Sequence, residues 1–114
     1  MKLIENLVIK FDGVDFNIKK IIKKGSDPII SVSFLVPENV TVPNYKNIKT
    51  GKNGKKYLNF YSTDEIKCVD CDRNEIDSDE IYPESTCNIV VDENNGYCDL
   101  IMVQMSQKGV SPFL

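Results

Sequence analysis

Two tyrosines and three lysines around one Asn-Gly step are the residues of this chain best suited to chemistry. Tyr57 and Tyr61 stand on a single alternating run, and Lys46, Lys52 and Lys55 flank it. Single-stranded nucleic acid is held by cations along its phosphates and by aromatic faces under its bases, each stacked base contributing ~1–3 kcal/mol. These five residues are therefore the expected nucleic-acid-binding set, with Lys19, Lys20, Lys23 and Lys24 extending the positive track. The bland alternative is that tyrosine is a good strand residue and lysine keeps a hairpin soluble.

Other constellations carry less. The chain has no histidine, which removes Ser-His and Cys-His nucleophilic sites and the commonest general base. No enzyme is expected. Gly51-Lys52-Asn53-Gly54-Lys55-Lys56 lacks the four-residue spacer and the Ser/Thr of a phosphate loop, and reads as a turn. Asp70, Asp72 and Asn74 open like a calcium loop, but Glu75 stands where Gly is needed and Ile81 where the bidentate Glu belongs. Weak cation binding by Asp77, Asp79 and Glu80 is the most that stretch offers.

Cys68 and Cys71 have the spacing that lets two thiolates reach one zinc ion. Cys87 and Cys98 fall on two different expected strands, where Val90 rather than Cys87 would face Cys98. Inert buried thiols with no metal and no cofactor are expected. The alternative is a structural zinc on Cys68, Cys71, Cys87 and Cys98, and Cys68 with Cys71 is the one candidate redox pair.

These side chains need strands to position them. Leu7, Ile9 and Phe11 alternate with polar residues, as do Val14, Phe16 and Ile18 after Asp12-Gly13. A two-residue type I′ turn there would pair Phe11 with Val14, Ile9 with Phe16 and Leu7 with Ile18, all on one face. Residues 29–36 form a strand with Ile30, Val32, Phe34 and Val36 on one face, ended by Pro37. A second hairpin over 45–61 turns at Asn53-Gly54. A type I′ turn puts Thr50 opposite Tyr57 and Ile48 opposite Asn59. Leu58 and Phe60 then face the core, and Tyr57 and Tyr61 face out. Residues 62–86 are a long acidic connection, uncommon unless it is functional or holds a short element of its own. A last strand pair, 87–91 and 97–105, spans a turn over 92–96. No window holds an amphipathic helix.

The expected architecture is mainly β with little helix: a small antiparallel barrel or open barrel, OB-like, of five to seven strands built from hairpins. With 114 residues, one domain over 1–114 is expected. A hydrophobic fraction of 41% with 27% charged residues is globular. The net charge of −3 hides a division: residues 1–60 form a basic half with eleven lysines against five acids, and residues 61–114 an acidic, cysteine-containing half with twelve acids against three cations. No apolar run approaches the ~20 residues of a membrane span, and the N-terminus lacks signal-peptide features. A cytoplasmic setting is expected, in a bacterium or an infected cell, and the richness in Lys, Ile, Asn and Asp fits an AT-rich genome.

The order of Ser31-Val32-Ser33-Phe34-Leu35-Val36-Pro37, Gly54-Lys55-Lys56-Tyr57-Leu58-Asn59-Phe60-Tyr61 and a terminal Lys108-Gly109-Val110-Ser111-Pro112-Phe113-Leu114 resembles small OB-fold single-stranded-DNA-binding proteins of bacterial viruses. The resemblance implies a five-stranded closed barrel that coats exposed DNA strands during replication. The acidic, cysteine-bearing 62–98 segment and the lack of a separate acidic tail depart from that pattern. Three readings follow. The first is a single-stranded nucleic-acid-binding module. The second is a small virus- or mobile-element-encoded inhibitor, of anti-defence type, whose acidic C-terminal half meets a basic protein surface. The third is a subunit of a larger assembly with no activity alone.

Overall fold

The computed structural model describes residues 1–9, 32–61, 66–77, 80–81 and 84–108 in full, and the backbone alone of 18–21, 29–31 and 62. Nine strands occur among them: β1 (Lys2–Ile9), β2 (Ile18–Ile21), β3 (Ile29–Val36), β4 (Ile48–Thr50), β5 (Lys56–Ser62), β6 (Lys67–Val69), β7 (Glu75–Ile76), β8 (Thr86–Asn94) and β9 (Tyr97–Gln107). They form one sheet in the order β4-β5-β3-β1-β8-β9-β6-β7, with β2 also paired to β3. The fold is mainly β and OB-like, an open barrel made by the five long strands β1, β3, β5, β8 and β9. The count exceeds five to seven because β2, β4, β6 and β7 are short pieces of two to four residues.

Alternation places the core. Val32, Phe34 and Val36 of β3 and Leu58 and Phe60 of β5 are buried together, as the period of two requires. Phe34 meets Phe60 edge-on at 6.0 Å between ring centroids. Two strands change inward parity along their length. β1 buries Ile4, then Leu7 and Ile9, because its register against β8 shifts between Ile4 and Leu7. Asn6 sits at that shift with φ +63°, and its N–H donates to Asn88 Oδ1 at 3.2 Å. β9 buries Cys98 and then Val103, and the shift against β8 leaves Ile101 exposed. Such bulges let a strand keep apolar residues inward when the sequence changes phase.

The Asp12-Gly13 turn, with Phe11, Val14 and Phe16, lies outside the described residues. Leu7 and Ile9 are fully buried. The expected Leu7–Ile18 pair is not among the described pairings: Leu7 pairs with Cys87, and Ile18 with Val32. β1 and β2 are both antiparallel to β3, so they run the same way and cannot be partners in one hairpin at that register.

The second hairpin is shifted by one residue from the type I′ expectation. Ile48 pairs with Leu58, Lys49 with Tyr57 and Thr50 with Lys56. Gly54 N–H donates to Gly51 O, Gly51 N–H to Lys55 O, and Gly54 alone of the central residues has positive φ, +79°. This is a three-residue loop with Gly54 as the left-handed bulge residue. The reason is burial. The two-residue register would turn Ile48 outward beside Asn59 and Lys49 inward beside Leu58, since a one-residue slip flips every side chain. The last hairpin is shifted the other way: its strands run on to Asn94 and Tyr97, and Asn95 (φ +52°) and Gly96 (φ +84°) form the type I′ turn. Glu93, not Val90, therefore faces Cys98.

The acidic connection does hold a short element, the β6–β7 hairpin. β6 runs parallel to β9, pairing Cys68 with Val103. Asp70 organises its turn, accepting the N–H groups of Asp72 and Asn74, both at 2.9 Å.

β5 and β9, the outer strands of the five-strand barrel, are bridged at Asn47. Its Nδ2 donates to Cys98 O at 3.0 Å and to Asn59 O at 3.1 Å, while its Oδ1 accepts Cys98 N–H at 2.9 Å. The side-chain amide thus takes the place of a strand residue between β5 and β9. Lys46 N–H adds a bond to Gly96 O at 2.8 Å.

Three outcomes test this account. Ile48→Ala should destabilise by ~1–3 kcal/mol in denaturant unfolding, and Lys49→Ala by no more than ~0.5 kcal/mol; the reverse order would restore the two-residue register. Asn47→Ala should cost about 1–3 kcal/mol by leaving buried backbone groups of Cys98 unpaired, and Asn47→Asp, which accepts but cannot donate, should not rescue it. The Asn74 and Asp72 N–H groups hold the Asp70 carboxyl below its ordinary 3.8. The stabilisation they give the turn is present above that value and is lost as pH falls through the lowered one. Amide shifts of Asp72 and Asn74 should titrate together with a midpoint below 3.8, and a midpoint at or above it would contradict the assignment.

Candidate nucleic-acid interface

β3 and β5 carry the candidate surface on their outer face. Opposite Leu58 and Phe60, β5 presents Tyr57, Asn59 and Tyr61. Across the ladder, Leu35 pairs with Tyr57, Ser33 with Asn59 and Ser31 with Tyr61. Ser33 Oγ donates to Asn59 Oδ1 at 2.6 Å, a polar step between the two rings. At ~3.4 Å per residue the tyrosine Cα atoms stand roughly 13 Å apart.

The two tyrosines differ. Tyr61 is 68% exposed. Tyr57 is half-buried: its hydroxyl accepts from Asn53 Nδ2 at 3.2 Å, and its ring lies over Gly51, where an added Cβ would come within 2.9 Å of Cε2. Gly51 therefore makes room for the ring, and Asn53 ties it to the turn while also accepting Lys55 N–H at 3.0 Å. One ring stands in solvent and the other is braced against its own hairpin.

The lysines divide as well. Lys52 and Lys55 are exposed at the turn. Lys46 is turned toward the β8–β9 hairpin, its Nζ 5.3 Å from the Tyr97 ring centroid, a cation–π contact. Lys49, which sequence reading passed over, is exposed and pairs directly with Tyr57. It was hidden by the assumed two-residue turn, and the apolar Ile48 beside it was the signal for the other register. Lys19 pairs with Ser31 in the backbone register, one strand from Tyr61, and Lys20 pairs with Ile30. Lys23 and Lys24 lie outside the described residues.

Cys68, Cys87 and Cys98 are buried and Cys71 is exposed in the β6–β7 turn. Burial pushes the Cys68 thiol up to about 11. Burial, then the neighbouring Cys68, pushes Cys87 to about 12. Cys98 reaches about 11 through burial and the charges of Asp99 and Glu93. Among the described residues no group of three or more Cys, Asp or Glu side chains is placed to hold a metal ion, so the Cys68, Cys71, Cys87, Cys98 set is not brought together. The Asp70 carboxylate is directed at its own turn amides. No helix among the described residues is long and apolar enough to cross a membrane.

No family model matches the chain, and no curated protein matches it. Solved structures do. A C-terminally truncated single-stranded DNA-binding protein from bacteriophage Enc34 superposes with a TM-score of 0.66 at 16% identity, covering 96% of this chain and 86% of that one. The protein without that truncation gives 0.65 at 15% identity, over 96% and 82%. The same phage protein in complex with single-stranded DNA gives 0.61 at 15% identity, over 96% and 88%. The resemblance read from three short stretches of sequence thus extends, as a likeness of fold, over nearly the whole chain.

Proposed function

We propose that this protein is a non-enzymatic module that binds single-stranded nucleic acid across the outer face of β3 and β5. The observation that carries this reading is a coincidence of place. In OB barrels the second and third barrel strands form the oligonucleotide face; here these are β3 and β5, and they bear Tyr57, Asn59 and Tyr61 with Lys49 set against Tyr57. A protein of the same fold solved with single-stranded DNA supports it. Tyr61 offers an open ring to one base, and Tyr57 the exposed part of a ring already fixed in orientation, so little side-chain entropy is lost there. Lys49, Lys52 and Lys55 follow the phosphates, with Lys19 beyond Tyr61. Lys46, engaged by Tyr97, takes a lesser part. Such a ligand fits a cytoplasmic setting.

Anisotropy titrations of a labelled oligonucleotide over a salt series test this. Binding should fall steeply with salt through counterion release. Tyr61→Ala should weaken it by ~1–3 kcal/mol with the fold retained. Lys52→Ala and Lys55→Ala should each reduce the salt slope by ~0.7, the single-strand value per phosphate contact, and Lys46→Ala by less. No binding at low salt, or a Tyr61→Ala variant that binds as tightly as the parent, would end this reading. The acidic β6–β7 hairpin, as a surface for a basic protein partner, would then be the next to probe.

A further inference from the structure

Beyond Tyr57 the outer face does not end in solvent. The chain leaves β3 at Pro37, turns through a Val40 N–H to Pro37 O bond of 2.9 Å, and diverges from the β4–β5 turn. A cleft of about 480 Å³ opens between them, lined by Leu35, Pro37, Glu38 and Val40 from one segment and by Lys55 and Lys56 from the other. That volume lies in the range of pockets that take small organic groups, roughly 300–1,000 Å³. Leu35 is the cross-strand partner of Tyr57, so the cleft adjoins the braced tyrosine.

We infer that this cleft takes one nucleobase of the bound strand, the one next to the base on Tyr57. The inference rests on the function proposed above and deepens it. The lining decides what enters. The apolar side chains of the lining do not solvate a phosphate, and the Glu38 carboxylate repels one, so the group inside is the neutral, flat part of the nucleotide. The cations of the lining, Lys55 and Lys56, meet the phosphates flanking that base. The other large cleft, of about 580 Å³ beside β6–β7, sets Glu75, Asp77 and Glu80 against the single cation Lys67 and has the wrong sign for nucleic acid.

Methyl and backbone NMR of the full chain, titrated with an oligothymidylate and with an abasic oligonucleotide of equal length, reads this directly. The Leu35 and Val40 methyl signals should move upfield under the ring current with the oligothymidylate and stay in place with the abasic strand, while Lys55 and Lys56 respond to both. Val40→Phe, which fills the cleft, should lower affinity about tenfold, the loss of one stacked base, without changing the salt slope. If Tyr61 responds to the oligothymidylate but the Leu35 and Val40 methyls do not, the cleft is empty in the complex and this inference is overturned while the proposed function stands. If no signal responds at low salt, both fall together.

Discussion

The amide of Asn47 bonds to both backbone groups of Cys98 and to the carbonyl of Asn59, and the shape of the barrel depends on it. A twisted sheet curls, but it closes only if its two end strands satisfy each other's backbone groups. Here the described pairings include no ladder between β5 and β9. A side-chain amide carries one donor group and one acceptor, as a peptide unit does, so it can stand in for the missing rung. The same bonds hold the β4–β5 hairpin against the rest of the molecule, and with it the tyrosines and lysines of the outer face.

Around that closure, the strands keep apolar residues inward by changing phase where the sequence does. The bulge near Asn6 and the shift at Ile101 each reverse parity once. The loop at Gly51–Gly54 achieves a similar correction at the end of β4. Both Asn-Gly steps of the 45–97 region lie in hairpins, yet they make different turns. At Asn95-Gly96 the two-residue turn already matches Glu93 with Cys98 and Asp92 with Asp99. At Asn53-Gly54 the same turn would have exposed Ile48 and buried Lys49. The local preference is equal in the two cases, and the core decides.

Charge follows the sheet path. The described lysines of β4 and β5 lie at one end of it, and Asp70, Asp72, Glu75 and Asp77 at or beside β6 and β7 lie at the other. A polar distribution of this kind orients a charged ligand before contact, within roughly the 8–10 Å over which salt leaves fields unscreened. The buried cysteines take no part in this, being neutral thiols.

Alternation, with the Asn53-Gly54 step, determined that 29–36 is a strand and 45–61 a hairpin, that Phe34, Leu58 and Phe60 point inward, and that Tyr61 points outward. The lack of any helical period determined the fold class. Tertiary structure decided what a period of two leaves open. It chose the register of β4, and so brought Lys49 rather than Thr50 to Tyr57. It drew Lys46 away to Tyr97, laid the Tyr57 ring on Gly51, and set Cys71 out at a turn while Cys68 and Cys87 neighbour each other in the core. It also set Asn47, an unremarked polar residue in a loop, as the closure of the barrel. The physical reason lies in what the folded sheet brings together. The β4 register and the seat of the Tyr57 ring were settled within the hairpin by which residues the core buries. Lys46 with Tyr97 and Asn47 with Cys98 instead join residues far apart in sequence, and such contacts exist only once the sheet has curled.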